Sequence, residues 1–197
     1  MSHGKGDASV ARCGCLALAT LFGALAGAAD LPRPASPLQL STPAGAPVSL
    51  AGMRGKVVLL EFFMTDCRHC QRFAGTIEPL YKEWRSRGLE VLAVAIDAED
   101  APRRIAEFRE RFGVSYPIAV GDAGMLRDFG KLPAGILASM PHIFLIDRRG
   151  IIRFEHPGSD RAFYDNDAAN LRQELDKLLK EPAPAAKSAG KTARKRS

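Results

Sequence analysis

An almost uninterrupted apolar segment near the start of the second quarter of the chain constrains the fold most strongly. Residues 57–63 read VVLLEFF, so Glu61 is the only charged side chain in the segment. A strand with one face in water alternates apolar and polar residues, whereas a strand covered on both faces does not. The segment therefore predicts a central strand of a sheet that carries other layers on both sides.

A helix is predicted to follow this strand after a short turn, over residues 68–87. Its apolar side chains recur at intervals of three and four residues, as on the buried face of an amphipathic helix. They are Phe73, Ile77, Leu80, Tyr81 and Trp84. Gly75 and Pro79 lie within the pattern, so we expect the helix to bend there.

The rest of the chain alternates strand and helix patterns, which indicates an α/β fold. Strands are predicted at residues 90–96, 116–120, 143–147 and 151–155, and helices at 101–112, 125–129 and 167–180. Arg148, Arg149 and Gly150 join the last two strands as a hairpin. The prolines of residues 30–47 favour an extended segment or a short hairpin, so residues 30–54 are predicted to be an N-terminal extension.

The basic charge of the chain is concentrated at its two ends. The formal net charge is +6 and the isoelectric point is about 9.4, which would suit a nucleic-acid partner if the body carried it. Residues 30–180, however, hold 21 basic and 20 acidic side chains. We therefore expect no nucleic-acid partner, and residues 181–197 are predicted to be a disordered basic tail.

Residues 1–29 are predicted to be a secretory signal peptide. Seventeen residues without formal charge lie between Arg12 and Asp30, after two basic residues, and they end in small side chains. Cleavage after Ala28 or Ala29 fits equally well. An uncleaved N-terminal anchor is the alternative, because this length is close to the minimum for a membrane span. Either way, we expect the protein to work in the periplasm.

The cysteines that remain after removal of the signal form a single pair. Cys13 and Cys15 belong to the predicted signal, which leaves Cys67 and Cys70. A disulfide between them would close a very short loop and constrain the unfolded chain little. The spacing therefore predicts either a bond that opens and closes as part of the function, or a metal site that lacks its other ligands.

The position of this pair assigns a different role to each thiol. Cys67 directly precedes the helix, where unpaired N–H groups and the helix dipole stabilise a thiolate. Cys67 is thus predicted to attack and Cys70 to resolve the mixed disulfide. Positive charge on Arg68 and His69 would make the pair less reducing than cytosolic thioredoxin, at about −270 mV, while Asp66 would partly offset that charge.

Glu61 is a candidate proton carrier for the thiol reaction. A carboxylate in a buried strand is costly, so its pKa should be raised. We expect it to accept the proton of Cys70 and to return it later. The alternative is a structural ion pair with Lys56 or Lys82.

Three segments together resemble the thioredoxin superfamily: residues 55–70 (GKVVLLEFFMTDCRHC), Ser139–Met140–Pro141, and residues 143–150 (IFLIDRRG). More narrowly, they are similar to exported TlpA/ResA-like thiol-disulfide oxidoreductases. The resemblance spans residues 38–180 and implies a thioredoxin-like α/β fold, with a central mixed sheet flanked by helices over residues 55–180. It implies that the protein exchanges disulfides with protein clients and receives electrons from a thiol donor in the membrane. It also implies that the redox-active Cys67–Cys70 disulfide takes the place of a cofactor. Reduction of apocytochrome c is one such activity.

The same resemblance assigns residues around Pro141. Pro141 matches a cis-proline that faces the cysteines, and Met140 and His142 beside it are expected to contact substrate. Three positions depart from the family pattern. Asp66 replaces a tryptophan, His142 replaces a threonine, and Gly75 replaces a helix proline.

Two other functions remain open at this point. One is a disulfide oxidase or isomerase, since the sequence fixes neither the direction of electron flow nor the oligomeric state. The other is a Cu(I)-binding thioredoxin-like metallochaperone, because a soft site could form from five side chains. These are Cys67, Cys70, His69, Met140 and His142.

Overall fold

The computed structural model describes residues 1, 30–97 and 100–184. The predicted signal peptide beyond Met1 and the predicted tail beyond residue 184 lie outside the described residues. Within the described ranges, no helix combines the length and apolar character that a membrane crossing requires.

Eight strands form one sheet within the described residues. They are β1 (Arg33–Pro34), β2 (Gln39–Ser41), β3 (Pro47–Ser49), β4 (Val57–Phe63), β5 (Leu89–Ala95), β6 (Ile118–Val120), β7 (His142–Ile146) and β8 (Ile151–His156). The helices of the same residues are α1 (Arg68–Trp84), α2 (Ala101–Phe112), α3 (Ala123–Gly130), α4 (Arg161–Tyr164) and α5 (Asp167–Lys180).

The sheet is mixed and has β4 near its centre. The strand order is β1-β8-β7-β4-β5-β6-β2-β3. Strand β4 is parallel to β5 and antiparallel to β7, and all seven of its residues are buried. The thioredoxin-like α/β fold and the buried central strand predicted from the sequence are thereby confirmed.

The side chains of β4 alternate between the two faces of the sheet, and only those on one face lie near the cysteines. Leu59 and Phe63 pack in one cluster with Cys70, under α1 and α5, and we call this side of the sheet the thiol face. Leu60 and Phe62 point to the opposite face, where α3 and the N-terminal segment cover them. Side chains of a strand alternate between faces, so Glu61 lies on the thiol face.

The N-terminal extension is an integral part of the sheet. Strand β1 pairs with β8 at one edge, and the β2–β3 hairpin pairs through β2 with β6 at the other. Leu38 and Leu40 are buried against the opposite face. Helix α1 runs through Gly75 and Pro79 as one helix and ends at Trp84, earlier than predicted, where a 3-10 turn takes over.

Candidate active site

Cys67 occupies the entrance of helix α1. Its backbone is extended, and its Sγ accepts a hydrogen bond from the backbone N–H of Cys70 at 3.5 Å. Cys67 is half-buried, whereas Cys70 is completely buried. A client can therefore reach only the first sulfur, which is the order of attack that the sequence predicts.

Cys70 needs a base before it can attack. Burial raises the pKa of its thiol far above the ordinary range, and the negative charge of Glu61 raises it further. Only the deprotonated thiolate of a cysteine attacks a disulfide, whereas Cys70 is held as the protonated thiol. The second step of exchange thus depends on a group that removes this proton.

Glu61 has the properties of that base. Its side chain is 2 % exposed, and burial raises its pKa to about 8. Within the described residues its Oε1 has no hydrogen-bond partner. The alternative ion pair of Glu61 with a lysine is not formed, because Lys56 is exposed and Lys82 pairs with Glu78 at 2.9 Å. A carboxyl group that titrates near neutral pH without a fixed partner can both accept and return a proton.

Two tyrosines that the sequence analysis missed border this buried pair. Burial, followed by the charge of Glu61, raises the pKa of both Tyr116 and Tyr164. The hydroxyl of Tyr116 is buried and has no hydrogen-bond partner among the described residues. Both rings are buried in the same cluster as Cys70, so they contribute to the burial that raises the pKa values of Glu61 and Cys70.

The Met140–Pro141 segment completes the site. The peptide bond between the two residues is cis, as the resemblance implies. The hydroxyl of Tyr164 donates a hydrogen bond to the carbonyl of Pro141 at 3.0 Å. Gly158 packs against the segment, where a Cβ atom would lie only 2.9 Å from the backbone nitrogen of Met140. Tyr164 and Gly158 therefore hold the backbone of Met140 and Pro141 in place, and Met140 packs against the same cluster as Cys67.

The predicted tuning residues behave differently from the sequence expectation. His69 is half-buried, its ring lies edge-on to Tyr164 at 4.5 Å, and burial followed by the charge of Arg72 lowers its pKa. It is therefore a weaker cation than expected. Asp66 is largely exposed and pairs with Arg104 at 3.1 Å, but the same guanidinium also pairs with Asp97 at 3.2 Å, so the charge of Asp66 is compensated in part. Arg68 remains exposed at the start of the helix.

His142 does not lie where the sequence analysis placed it. It is 2 % exposed, and its Nε2 lies 3.0 Å from Oε1 of Glu155. Its ring stacks on Phe144 of the opposite face, whereas Ile143 packs with Cys70 on the thiol face. The predicted contact of His142 with a substrate at Cys67 is therefore wrong, because the side chain of His142 points to the face of the sheet opposite the thiol face.

The five predicted copper ligands consequently do not all lie on one face of the sheet. His142 is separated from the two cysteines by the sheet itself. In the part of the chain that the structure describes, no group of three or more His, Cys, Asp or Glu side chains is placed to hold a metal ion. The arrangement suits thiol chemistry assisted by a carboxyl group.

The hydroxyl of Tyr164 gives a first testable consequence. Tyr164→Phe keeps the ring but removes the hydrogen bond to Pro141, so we expect a loss of about 1 kcal/mol in the free energy of unfolding. We also expect a higher KM for protein disulfides and an unchanged rate with a small aromatic disulfide. Denaturant titration and steady-state kinetics measure both. Equal losses for both substrates would show that the hydroxyl does not position the client-facing edge.

A second consequence concerns His156, which lies between Asp160 at 2.8 Å and Glu174 at 3.0 Å. Burial alone would lower its pKa, but hydrogen bonds to the two carboxylates raise it above the ordinary value of 6.5. This stabilisation is complete below pH 6.5 and is lost as the pH rises through the raised pKa. His156→Gln should therefore lower the free energy of unfolding by about 2 kcal/mol in acid solution, and by progressively less as the pH rises above 6.5. Thermal unfolding at several pH values tests this, and a pH-independent difference would contradict it.

Fold and site together define a thioredoxin-like thiol-disulfide oxidoreductase. The fold places the Cys67–Cys70 pair at the start of helix α1, and Met140 of the cis Met140–Pro141 bond packs against the same cluster as Cys67. The buried carboxyl group of Glu61 acts on the second thiol.

The chain belongs to the AhpC/TSA family, whose model matches residues 32–155. It is 25% identical over 141 residues to the thiol-disulfide oxidoreductase ResA of Bacillus thuringiensis, covering 71% of each chain. It is 30% identical over 121 residues to the thioredoxin-like protein YneN of Bacillus subtilis, covering 61% of this chain and 67% of YneN. The resemblance inferred from the sequence is confirmed.

A solved structure agrees with this assignment. The crystal structure of a protein assigned as the thiol:disulfide interchange protein DsbE of Chlorobium tepidum superposes with a TM-score of 0.64. The two chains are 25% identical, and the match covers 76% of this chain and 98% of the other.

Proposed function

We propose that this protein exchanges disulfides with exported protein clients outside the cytoplasm and acts on them as a reductant. The observation that carries the proposal is the asymmetry of the thiols: Cys67 is reachable, while Cys70 is buried next to Glu61. The signal-like N-terminus of the sequence supports the location. Similarity to proteins named as thiol-disulfide oxidoreductases supports the activity.

The reaction follows in two steps. The Cys67 thiolate attacks one sulfur of the client disulfide, which forms a mixed disulfide and releases one client thiolate. Glu61 then takes the proton of Cys70, and the Cys70 thiolate attacks the Sγ of Cys67. The second client sulfur leaves and takes up a proton, so the client gains two electrons and the protein becomes the Cys67–Cys70 disulfide.

The oxidised protein must be reduced again before another turnover. A dithiol donor in the membrane would do this by the same two steps in reverse, when Glu61 returns its proton to Cys70. Apocytochrome c, with its closely spaced cysteines, is the client class that the resemblance favours.

Trapping of clients tests the proposal directly. In a Cys70→Ala variant the first step proceeds but the second cannot, so clients should accumulate as mixed disulfides on Cys67. Non-reducing electrophoresis and mass spectrometry of the trapped species identify them. The matched control is a Cys67→Ser/Cys70→Ala variant, which should trap nothing. Equal recovery from both variants, or clients that reside in the cytoplasm, would contradict the proposal.

A further inference from the structure

We propose that the hydroxyl group of Tyr116 donates a hydrogen bond to the carboxylate of Glu61 when that group is ionised, so that Tyr116 is a positioning residue for the second step of exchange. The inference rests on the proposed function, because it assigns a partner to the base of that same reaction. Tyr116 belongs to the segment that leads into β6, far from Glu61 and both cysteines in the sequence.

The hydroxyl of Tyr116 and the carboxyl group of Glu61 are both buried and unpaired. Tyr116 is 1 % exposed and Glu61 is 2 % exposed. Among the described residues, neither the hydroxyl of Tyr116 nor Oε1 of Glu61 has a hydrogen-bond partner. Burial of an unpaired hydroxyl costs free energy, whereas phenylalanine would fill the same position without that cost. A partner that appears when Glu61 ionises gives this hydroxyl a role, since a carboxylate is a strong acceptor.

The pairing of the strands places the two side chains on the same part of the thiol face. Glu61 of β4 pairs with Ala93 of β5, and Ala93 pairs with Ile118 of β6, so these residues form one row across the sheet. Tyr116 precedes Ile118 by two residues, and both pack in the cluster that contains Cys70. The side chain of Ala93 is a single methyl group, so it leaves room above β5 for the phenol ring.

The charges that act on Tyr116 support the same arrangement. Burial is the largest cause of its raised pKa, and the negative charge of Glu61 comes next, ahead of that of Glu78. Arg109 has a smaller effect, although it donates a hydrogen bond to the backbone carbonyl of Tyr116 at 2.7 Å. Because a charge acts more strongly at shorter range, this order agrees with a hydroxyl that lies toward Glu61.

The other ionisable groups that face this site come from three helices, while α5 presents leucines to it. They are Cys70, Glu78 and Tyr81 of α1, Arg109 of α2 and Tyr164 of α4. The carboxylate of Glu78 is occupied, because it accepts a hydrogen bond from Ser115 at 2.7 Å and pairs with Lys82 at 2.9 Å. Arg109 is held at the backbone of Tyr116.

The remaining donors near Glu61 are weaker or already used. The hydroxyl of Tyr164 has one hydrogen, which it donates to the carbonyl of Pro141 at 3.0 Å. The thiol of Cys70 is a weak donor. Among these ionisable side chains of the described residues, the hydroxyl of Tyr116 is therefore the strong donor without another partner.

A hydrogen bond from Tyr116 opposes part of the effect of burial on Glu61. Burial raises the pKa of Glu61 to about 8, whereas a hydrogen bond to the charged form of a carboxyl group lowers its pKa. Without the hydroxyl, Glu61 ionises only at a higher pH. Less of it is then available as a base near neutral pH.

Replacement of Tyr116 by phenylalanine tests the inference. A ¹³C NMR titration of the Glu61 carboxyl group in the reduced full-length protein should show a midpoint about one pH unit higher in the variant, a tenfold change in the ionisation equilibrium. At neutral pH, release from a preformed mixed disulfide should be about tenfold slower, while the attack of Cys67 keeps its rate. The melting temperature should not fall, because the hydroxyl has no partner among the described residues to lose.

Tyr81→Phe is the matched control. The ring of Tyr81 lies edge-on to that of Tyr116 at 6.1 Å, and after burial the charges of Glu90 and Arg85 have the largest effects on its pKa. Removal of this hydroxyl should leave the midpoint of Glu61 unchanged. A midpoint that stays the same in Tyr116→Phe, or that rises equally in Tyr81→Phe, would overturn the inference.

The titration reads Glu61 whether or not the protein exchanges disulfides with clients. A failure of the inference is therefore distinguishable from a failure of the proposed function, which the trapping of clients tests. A higher midpoint in Tyr116→Phe together with an unchanged pH profile of mixed-disulfide release would also overturn the inference, because Tyr116 would then have no part in the second step.

Discussion

Replacement of Cys67 by serine should lower the rate of disulfide exchange at least about 1,000-fold, because a hydroxyl does not attack a disulfide near neutral pH. The fold should survive, since Cys67 is half-buried and serine is a favourable residue at a helix N-terminus. Reduction of insulin or of a model peptide disulfide measures the rate.

Cys70→Ser is the matched control for this substitution. It retains the outer thiol, so the first step should proceed at the natural rate and stop at the mixed disulfide. A Cys67→Ser variant that turns over within tenfold of the natural rate would show that the buried Cys70 attacks clients itself, which its complete burial argues against.

Replacement of Glu61 by glutamine should slow the second step about 100-fold and leave the first step unchanged. The carboxyl group has a pKa of about 8, so the rate of resolution in the natural protein should rise with pH and level off above that value. Glutamine cannot accept the proton of Cys70, and the rise should disappear. Stopped-flow measurement of release from a preformed mixed disulfide separates this step from the attack of Cys67. An unchanged pH profile would exclude Glu61 as the base.

The same substitution should also change how stability depends on pH. The carboxyl group has a pKa of about 8 when folded and an ordinary value of 4.5, so the folded state binds the extra proton between these values. Stability of the natural protein should therefore fall as the pH rises through this window, and Glu61→Gln should make that slope smaller and leave the contribution of His156. A slope as steep as that of the natural protein would show that Glu61 is not buried as described.

The chemistry of the site could be predicted from the sequence because it depends on local order. The run of apolar residues fixes β4 as a central strand, and the cysteine spacing fixes both thiols at the start of α1. Glu61 follows from the same strand, since a charged residue in a buried segment stands out. The position of Pro141 came from the resemblance, which supplies what spacing alone does not.

The surroundings of the site could not be predicted, since they depend on contacts between distant segments. Tyr164 belongs to a helix of four residues, too short to show a periodic pattern. The face of His142 was hidden because all five residues of β7 are buried, so no alternation distinguishes its two sides. The ion pair between Asp66 and Arg104 joins the turn before α1 to α2, so it depends on the tertiary fold and not on local sequence.

The central claim is that Cys67 and Cys70 interconvert between dithiol and disulfide in the folded protein. Equilibration in buffers of graded thiol to disulfide ratio, followed by alkylation and mass measurement, tests it most directly. We predict a reversible two-electron transition of this pair, with alkylation of Cys67 well before Cys70 in the reduced protein. A folded protein whose two cysteines keep one redox state across the whole series, or in which Cys70 is alkylated first, would contradict the account.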